Sequence, residues 1–213
     1  MTKLSLRLKT IFDCIEQCDT FADVGCDHGY IANAMLESDK CKFVYITDIS
    51  AECLSKAEEL LSGKYYKRYQ PIVTSGLKGV PKVDQAVIAG MGGEIICDIL
   101  ENADYLPDRL ILQPMKDPER VRGTVLRLKY KILKDYTFKD EKFYDLIVCE
   151  KGEDFYTQDE LAFGRDNLRQ KNEAFVEVIQ RKINVLQQAM PSMSEVSRKK
   201  TEQIITKFLE IIK

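Results

Sequence analysis

Two kinds of hydrophobic pattern alternate along residues 20–150. Short runs rich in β-branched and aromatic residues are typical of buried strands, whereas apolar residues three or four positions apart are typical of amphipathic helices. The short runs predict strands at Phe21–Gly25, Phe43–Ile49, Gln70–Thr74, Gln85–Ala89, Arg109–Gln113, Ile132–Phe138 and Tyr144–Cys149. The helical spacing predicts helices at about Tyr30–Glu37, Ala51–Leu61, Gly93–Asn102 and Pro118–Lys129, and another between Leu4 and Cys18. Asp117-Pro118 predicts a cap followed by proline at the first helical position.

The alternation of strands and helices predicts a mostly parallel sheet with helices on both faces. The last two predicted strands are joined only by Lys139-Asp-Glu-Lys-Phe143, which is too short for a crossover helix. They should therefore form a hairpin, and the final strand should be antiparallel. A seven-stranded Rossmann-like α/β fold with this ending is the plan of class I S-adenosylmethionine-dependent methyltransferases, whereas nicotinamide dehydrogenases usually lack the hairpin.

The pattern changes after Thr157, which divides the chain into a predicted domain of residues 1–157 and a helical arm of residues 158–213. Thr157-Gln-Asp-Glu160 has the sequence of a capping box, and helical spacing continues from there to Pro191. A second capping box, Ser192-Met-Ser-Glu195, predicts the start of another amphipathic helix. Two such helices joined by a short turn should lie antiparallel, as a two-helix coiled-coil arm.

The composition is that of an ordinary globular protein, with 213 residues, a net charge of −2 and 45% hydrophobic residues. No apolar run approaches the ~20 residues needed to span a bilayer, and no secretory pattern is visible, so we expect a cytoplasmic protein without a membrane partner. The seven cysteines have spacings unlike those of a disulfide framework or a zinc site. They predict reduced thiols and no bound metal.

The most informative segment is Phe21-Ala-Asp-Val-Gly-Cys-Asp-His-Gly-Tyr30. A buried strand that ends in an acid and a glycine before a helix is how doubly wound folds hold nucleotide-type cofactors. Here the usual second glycine is replaced by Asp27, which stands beside His28, the only histidine. We therefore expect chemistry on this loop. The alternatives are a simple tight turn, with Asp27 capping the helix and Tyr30 packed in the core.

Asp48 ends the second predicted strand, where a carboxylate can accept both ribose hydroxyls of an adenosine cofactor. It could instead cap the helix that begins at Ala51. Thr74-Ser-Gly-Leu77 follows the third strand, where methyltransferases often place an acid that contacts the adenine amino group. Ser75 can still form a hydrogen bond there, and a simple turn is the alternative.

A second glycine-rich turn follows the fourth predicted strand, at Ala89-Gly-Met-Gly-Gly93. It lacks side chains where a flat ligand would approach the backbone, and the helix start offers free N–H donors. The carboxyl end of this strand, beside the first, is the usual site of ligand binding in such folds. Gln113 and Pro114 end the fifth strand, where Gln113 is positioned either to read a base edge or to satisfy loop amides.

These strings together resemble the bacterial tRNA adenine N1-methyltransferases of the TrmK family, which modify adenine 22 of tRNA. The resemblance covers nearly the whole chain and rests on Leu6-Arg-Leu8, Ala22-Asp-x-Gly-x-Asp-His-x-Tyr30, Ala89-Gly-Met-Gly-Gly93, Ile111-Leu-Gln-Pro114 and the two-helix arm. The family commonly has Gly-Asp-Gly-Leu at positions 74–77 and an asparagine at the position of Met115. Ser75 therefore replaces the acid of one cofactor contact, and Met115 places an apolar side chain where the family has a polar one.

The resemblance implies S-adenosylmethionine as the cofactor and tRNA as the partner. The expected catalytic residues are Asp27, His28 and Tyr30. The expected cofactor-binding residues are Asp23, Gly25, Cys26, Asp48, Ile49, Ser75, Gly76, Gly90, Met91 and Gly92. The expected substrate-binding residues are Gly93, Gln113, Pro114, Arg7, Lys116 and Arg120.

Three other functions are compatible with parts of the sequence. The first is a Rossmann-type methyltransferase that acts on a small molecule or a protein. The second is a nicotinamide oxidoreductase, which the final hairpin and Asp27 disfavour. The third is a non-catalytic RNA-binding protein in which the helical arm binds the RNA. Labelled cofactor offered with bulk tRNA or with metabolites separates the first possibility from a tRNA methyltransferase. A cofactor-specific thermal shift decides the second, and retention of tRNA without binding of S-adenosylmethionine would mark the third.

Overall fold

The structure is a computed structural model that describes residues 3–213. Its strands are β1 (Cys18–Val24), β2 (Cys41–Asp48), β3 (Tyr69–Val73), β4 (Gln85–Gly92), β5 (Arg109–Lys116), β6 (Tyr130–Lys139) and β7 (Phe143–Lys151). Its helices are α1 (Leu6–Asp13), α2 (Tyr30–Glu37), α3 (Ala51–Leu61), α4 (Gly93–Glu101), α5 (Pro118–Arg127), α6 (Gln158–Phe163), α7 (Arg165–Gln170), α8 (Glu173–Ala189) and α9 (Glu195–Ile212).

The strands form one sheet in the order β3-β2-β1-β4-β5-β7-β6. Strands β1 to β5 pair in parallel, and β7 is antiparallel to both β5 and β6. The predicted Rossmann-like fold with an antiparallel last strand is confirmed. The order reverses between β1 and β4, which opens a crevice at the carboxyl ends of these two strands.

Alternating residues of the strands fill two hydrophobic cores, one on each face of the sheet. Phe21 of β1 packs in one core with Met35 of α2, whereas its neighbour Ala22 packs in the other with Ile96 of α4. This arrangement follows from the period of two in a strand, because successive side chains point to opposite faces. The double burial explains why the strands are nearly continuous apolar runs.

The region after residue 157 departs from the predicted arrangement of two helices. The capping box at Thr157 is present, but the helix that it starts ends at Gly164, where φ is +87°, and the next helix ends at Lys171, where φ is +47°. The long helix α8 begins only after Asn172, whose side chain caps it by accepting from the Phe175 backbone N–H. Helices α8 and α9 then form the predicted antiparallel pair, around Phe175, Ile179 and Ile205. The division into two domains stays a prediction.

Two predicted helix caps also differ in the structure. Helix α9 is capped by the side chain of Ser194, because Met190–Ser192 forms a short 3-10 turn that moves the start of the helix. Asp117, the expected cap of α5, has a left-handed backbone and makes no capping hydrogen bond. Pro118 still occupies the first turn of that helix, as predicted.

A buried polar network attaches α6 and α7 to strand β6. The Nε of Arg122 lies 2.9 Å from both carboxylate oxygens of Asp135, and each of these side chains is only 1% exposed. Arg122 also donates to the Leu161 carbonyl at 3.0 Å. The side chains of Asp166 and Asn167 accept hydrogen bonds from the backbone N–H groups of β6, each at 2.8 Å. The base of the arm is therefore fixed to the sheet.

Within residues 3–213, every helix is too short or too polar to cross a lipid bilayer. The same residues contain no group of three or more histidine, cysteine, aspartate or glutamate side chains arranged to hold a metal ion.

Candidate active site

The loop between β1 and α2 is a tight turn that directs polar side chains outward. The backbone N–H groups of Gly25 and Cys26 both donate to the Thr47 carbonyl of β2, at 2.7 and 3.1 Å. Gly25 has a φ of +67°, and Asp27 has a φ of +47°, which a non-glycine residue rarely adopts. The turn closes through a 2.8 Å hydrogen bond from the Gly29 N–H to the Cys26 carbonyl.

The three predicted catalytic side chains lie together, two on this loop and Tyr30 at the first residue of α2. Asp27 and His28 are exposed, and Oδ2 of Asp27 lies 3.7 Å from Nε2 of His28. The His28 and Tyr30 rings stack with centroids 5.4 Å apart, and Tyr30 is 42% exposed. The residue that caps α2 is Gly29, so Asp27 does not cap that helix. Because Tyr30 is exposed, it does not pack in the core. The loop presents a carboxylate beside two stacked rings.

Asp23 lies behind the loop and is 6% exposed. Its Oδ2 accepts a 3.0 Å hydrogen bond from the Ala32 backbone N–H. Burial raises the pKa of this carboxyl to about 7, although the hydrogen bond opposes the shift. The charge of Asp23 therefore changes near neutral pH.

A cavity of about 400 Å³ occupies the crevice between the ends of β1 and β4. Ten of the predicted site residues line it, namely Arg7, Asp23, Gly25, Cys26, Asp27, His28, Tyr30, Asp48, Gly90 and Met91. Sequence reasoning did not assign its apolar wall, which is formed by Leu8, Val24, Ile31, Val87 and Ala89. Those residues have the pattern of ordinary core positions, so no signal in the sequence separates them from the rest of the core.

Asp48 lies at the far side of the cavity, at the end of β2. Its Oδ1 accepts a 2.9 Å hydrogen bond from the Ser50 backbone N–H, and Ser50 caps α3 by accepting from Cys53. Asp48 therefore positions Ser50, which caps α3, and is not itself the cap. Among the residues that the structure describes, no hydrogen bond uses Oδ2 of Asp48, so this oxygen is available to a ligand hydroxyl.

The predicted adenine end of the site lies beside the cavity rather than in its wall. Ile49 and Ser75 are exposed at the ends of their strands, whereas Gly76 is buried. The Gly76 carbonyl accepts a 3.1 Å hydrogen bond from the Thr47 hydroxyl. A Cβ on Gly76 would lie 2.5 Å from the Ile99 side chain, so the glycine also permits close packing.

The glycines after β4 have different surroundings. A Cβ on Gly92 would meet no atom within 4 Å, whereas one on Gly93 would lie 2.6 Å from the Asp117 carbonyl oxygen. Gly93 is buried, and its lack of a side chain allows the start of α4 to approach the turn before α5. Gly90 has a φ of +82° and lies against the guanidinium group of Arg7.

Arg7 reaches the crevice from helix α1 and is fixed there by three contacts. Its Nε donates to Oε1 of Gln113 at 2.7 Å, its guanidinium lies 5.4 Å from the centroid of the Tyr144 ring, and its backbone N–H donates to Asp140. Arg7 is the one permanently cationic side chain among the described residues that line the cavity, which also contains three carboxylates.

Gln113 and Pro114 are both buried, and Gln113 is completely inaccessible. The Gln113 amide donates to the Pro114 carbonyl at 3.0 Å while its oxygen accepts from Arg7. Of the two roles expected for Gln113, this arrangement favours internal hydrogen bonding, which holds Arg7 in place. Lys116 and Arg120 are exposed, and Arg120 pairs with Glu94 at 3.3 Å.

The raised pKa of Asp23 predicts a pH-dependent stability. Protonated Asp23 contributes to the free energy of unfolding. This contribution is fully present below the pKa that the carboxyl has in the unfolded chain, and it is lost as the pH rises through about 7. Thermal unfolding followed by circular dichroism between about pH 5.5 and about pH 8.5 should therefore show a larger decrease in Tm for the wild type than for Asp23→Asn. Identical pH profiles for the two proteins would show that Asp23 is ionised throughout.

The comparisons with known proteins agree with this geometry. Residues 4–147 match the family described as a methyltransferase domain, so the chain belongs to that family. It is also 29% identical over 158 residues to a tRNA (adenine(22)-N(1))-methyltransferase of Bacillus subtilis. That alignment covers 71% of this chain and 66% of the Bacillus enzyme, just under two thirds of its length.

Two solved structures share the fold over nearly the full length of the chain. One is a protein of the NADB-Rossmann superfamily from Streptococcus agalactiae, with 26% identity, a TM-score of 0.90 and coverage of 100% of this chain and 98% of that one. The other is a putative tRNA (m1A22) methyltransferase from Streptococcus pneumoniae in complex with S-adenosyl-L-methionine, with 23% identity, a TM-score of 0.88 and coverage of 99% and 100%. The resemblance to the TrmK family inferred from the motifs is confirmed.

Proposed function

We propose that this protein transfers a methyl group from S-adenosylmethionine to N1 of adenine 22 in tRNA. The observation that carries the proposal is the crevice between β1 and β4, in which the buried carboxyl group of Asp23 lies behind Asp27, His28 and Tyr30. The Bacillus subtilis relative, whose name gives this reaction, supports it. Because the substrate is tRNA, we expect the protein to act in the cytoplasm.

The crevice fits the proposed cofactor in shape and in charge. It offers about 400 Å³, and Asp23, Asp27 and Asp48 line it, which suits a cationic sulfonium and an ammonium group. Asp48 would hold the ribose hydroxyls, and the glycine turns at Gly25 and Gly90 would allow the ligand to approach the backbone. The backbone at Cys26, Met91 and Gly92 and the loop at Ile49, Ser75 and Gly76 would complete the site. When bound, the cofactor supplies an activated methyl group.

The target base needs alignment more than activation, because adenine N1 carries an in-plane lone pair and is already nucleophilic. Near-attack positioning can contribute roughly 7–11 kcal/mol to such a reaction. Asp27 would accept a hydrogen bond from the adenine amino group, which becomes more positive as N1 forms its new bond. Tyr30 and His28, already stacked on each other, would form the surface against which the base lies.

A base in folded tRNA must leave its stack to reach the crevice, so the protein must also hold the surrounding phosphates. Arg7 is placed for this role. We assign the same role to Lys116, at the end of β5, and to Arg120, in α5, which both lie beside the start of α4 at Gly93. Arg7 contacts Asp140 and Tyr144 of the β6–β7 hairpin. The same hairpin meets the arm, because Arg181 of α8 lies 4.8 Å from the centroid of the Phe143 ring. The arm thus reaches the same end of the sheet as the crevice, the end at which the parallel strands finish.

Charge reversal on the arm should weaken tRNA binding. Lys182 and Lys200 are exposed on α8 and α9. Removing a lysine that binds a phosphate should also reduce the salt dependence of log Kd by about 1. We therefore expect Lys182→Glu with Lys200→Glu to lower tRNA affinity and flatten its salt dependence, as measured by filter binding, while affinity for the cofactor stays unchanged.

The matched control reverses Lys64 and Lys67, two exposed lysines of the loop before β3. That loop lies at the amino ends of the strands, on the edge of the sheet opposite the crevice. Equal losses of affinity in the two double variants would show that the arm has no specific part in tRNA binding.

Mass spectrometry of nucleosides tests the proposed function directly. Unmodified tRNA incubated with the protein and S-adenosylmethionine should gain 1-methyladenosine, and tRNA with guanine at position 22 should not. Methylation at another position, or of small metabolites with no tRNA product, would overturn the proposal.

A further inference from the structure

Two cysteines stand side by side at the amino-terminal edge of the sheet, away from the crevice. Cys18 begins β1 and Cys41 begins β2, and the two residues are direct register partners in this parallel pair. Both side chains contact the same hydrophobic core, so they lie on the same face of the sheet. Neighbouring strands lie about 4.7–4.9 Å apart, and disulfides join Cα atoms about 4.4–6.8 Å apart.

The two thiols differ in the way that thiol–disulfide exchange requires. Cys18 is partly exposed, whereas Cys41 is 1% exposed. The Cys41 thiol donates to the Phe43 carbonyl at 3.0 Å, and the interaction between the two neighbouring thiols lowers the pKa of Cys18 and raises that of Cys41. The accessible sulfur is thus the one that becomes a thiolate more easily, and the thiolate is the attacking species.

A third thiol in this region is directed elsewhere. The sulfur of Cys14 lies 4.0 Å from the Tyr136 hydroxyl and 3.8 Å from Nζ of Lys134, both on β6. Cys14 therefore packs toward the opposite side of the core from β2, and Cys41 is the natural partner of Cys18.

We propose that Cys18 and Cys41 are a redox modification site that forms a reversible cross-strand disulfide on reaction with a low-molecular-weight disulfide. The Cys18 thiolate attacks one sulfur of that disulfide and displaces the other as a thiolate, which leaves a mixed disulfide on Cys18. Deprotonated Cys41 then attacks the sulfur of Cys18 and releases the second small thiol. The two protein thiols are oxidised by two electrons, the small disulfide is reduced to two thiols, and the two cysteine protons pass to these products.

The bond would close a loop that contains helix α2 and the Asp27 loop. Such a cross-link reduces the conformational freedom of the unfolded chain, so the oxidised protein should have a higher Tm. Cytosolic disulfides are usually transient and redox-sensing, and added dithiothreitol should return both the thiols and the original Tm.

The test treats the full-length folded protein with oxidised glutathione, blocks free thiols and maps the peptides by mass spectrometry. We expect a Cys18–Cys41 linked peptide, a loss of mass equal to two hydrogen atoms and an increase in Tm. In Cys41→Ser the reaction should stop at a glutathione adduct on Cys18, and in Cys18→Ser the Cys41 thiol should stay free. Cys53→Ser, which changes a partly exposed cysteine on α3, should form the cross-link normally.

Two results would overturn the proposal. One is a wild-type protein in which Cys18 and Cys41 both remain free while Cys53 reacts with glutathione. The other is a linked peptide that joins Cys18 to Cys14. Because these readouts require neither tRNA nor cofactor, they are independent of the proposed methyl transfer.

Discussion

Replacing Asp27 with alanine should reduce the rate of methyl transfer to tRNA by about 10²–10³-fold, the usual effect of removing one group that stabilises charge in a transition state. The carboxylate is held on an exposed turn at the mouth of the crevice, where it would accept a hydrogen bond from the adenine amino group. The loss should appear in kcat, measured with radiolabelled cofactor at saturating tRNA, because the interaction strengthens during the reaction.

Two further variants separate the charge of Asp27 from its backbone conformation. Asp27 has a φ of +47°, so alanine adds strain that glycine does not. Asp27→Gly also removes the carboxylate, so it should be as inactive as Asp27→Ala. Because glycine adds no strain, its Tm should be unchanged. Asp27→Asn keeps an acceptor oxygen and should retain intermediate activity. Wild-type turnover in Asp27→Gly would remove Asp27 from the mechanism.

Replacing Arg122 with alanine should lower the free energy of unfolding by about 3–5 kcal/mol, because it leaves the buried carboxylate of Asp135 without its partner. Burial raises the pKa of Asp135, and Arg122 opposes that shift. Without Arg122 the pKa should rise further, so the loss of stability should grow as the pH rises through this higher value. Urea unfolding at several pH values measures both effects.

Arg127→Ala is the matched control, because Arg127 lies on the same helix and pairs with Glu101 at the surface. Exposed pairs of this kind contribute about 0–1 kcal/mol. The double variant Arg122→Met with Asp135→Leu should recover much of the lost stability, since it removes both buried charges. An Arg122→Ala protein as stable as Arg127→Ala would show that water reaches Asp135.

The sequence predicted the sheet well because its signals are local. Doubly buried strands have the pattern of apolar runs, and the short link between β6 and β7 requires a hairpin. The breaks at Gly164 and Lys171 were missed for the opposite reason. Helical spacing of apolar residues continues across both breaks, and the turns are stabilised by hydrogen bonds to β6, which is distant in sequence.

The candidate site shows the same division between local and distant information. The turn at Gly25 and the exposed Asp27 follow from neighbouring residues, and the structure places them together. The link between Arg7 and Gln113 joins α1 to β5 and depends on the complete fold. For this reason the sequence alone did not decide whether Gln113 reads a base edge or forms hydrogen bonds within the protein.

The fixed attachment of α7 to β6, the strand at one end of the sheet, has a consequence for association between molecules. A strand at the end of a sheet offers unpaired N–H and C=O groups that can recruit another chain. Along β6 the side chains of Asp166 and Asn167 already occupy N–H groups that a foreign strand would need. At the opposite end, β3 is only 5 residues long and carries Pro71 at its centre, so neither margin is a good template for fibre growth.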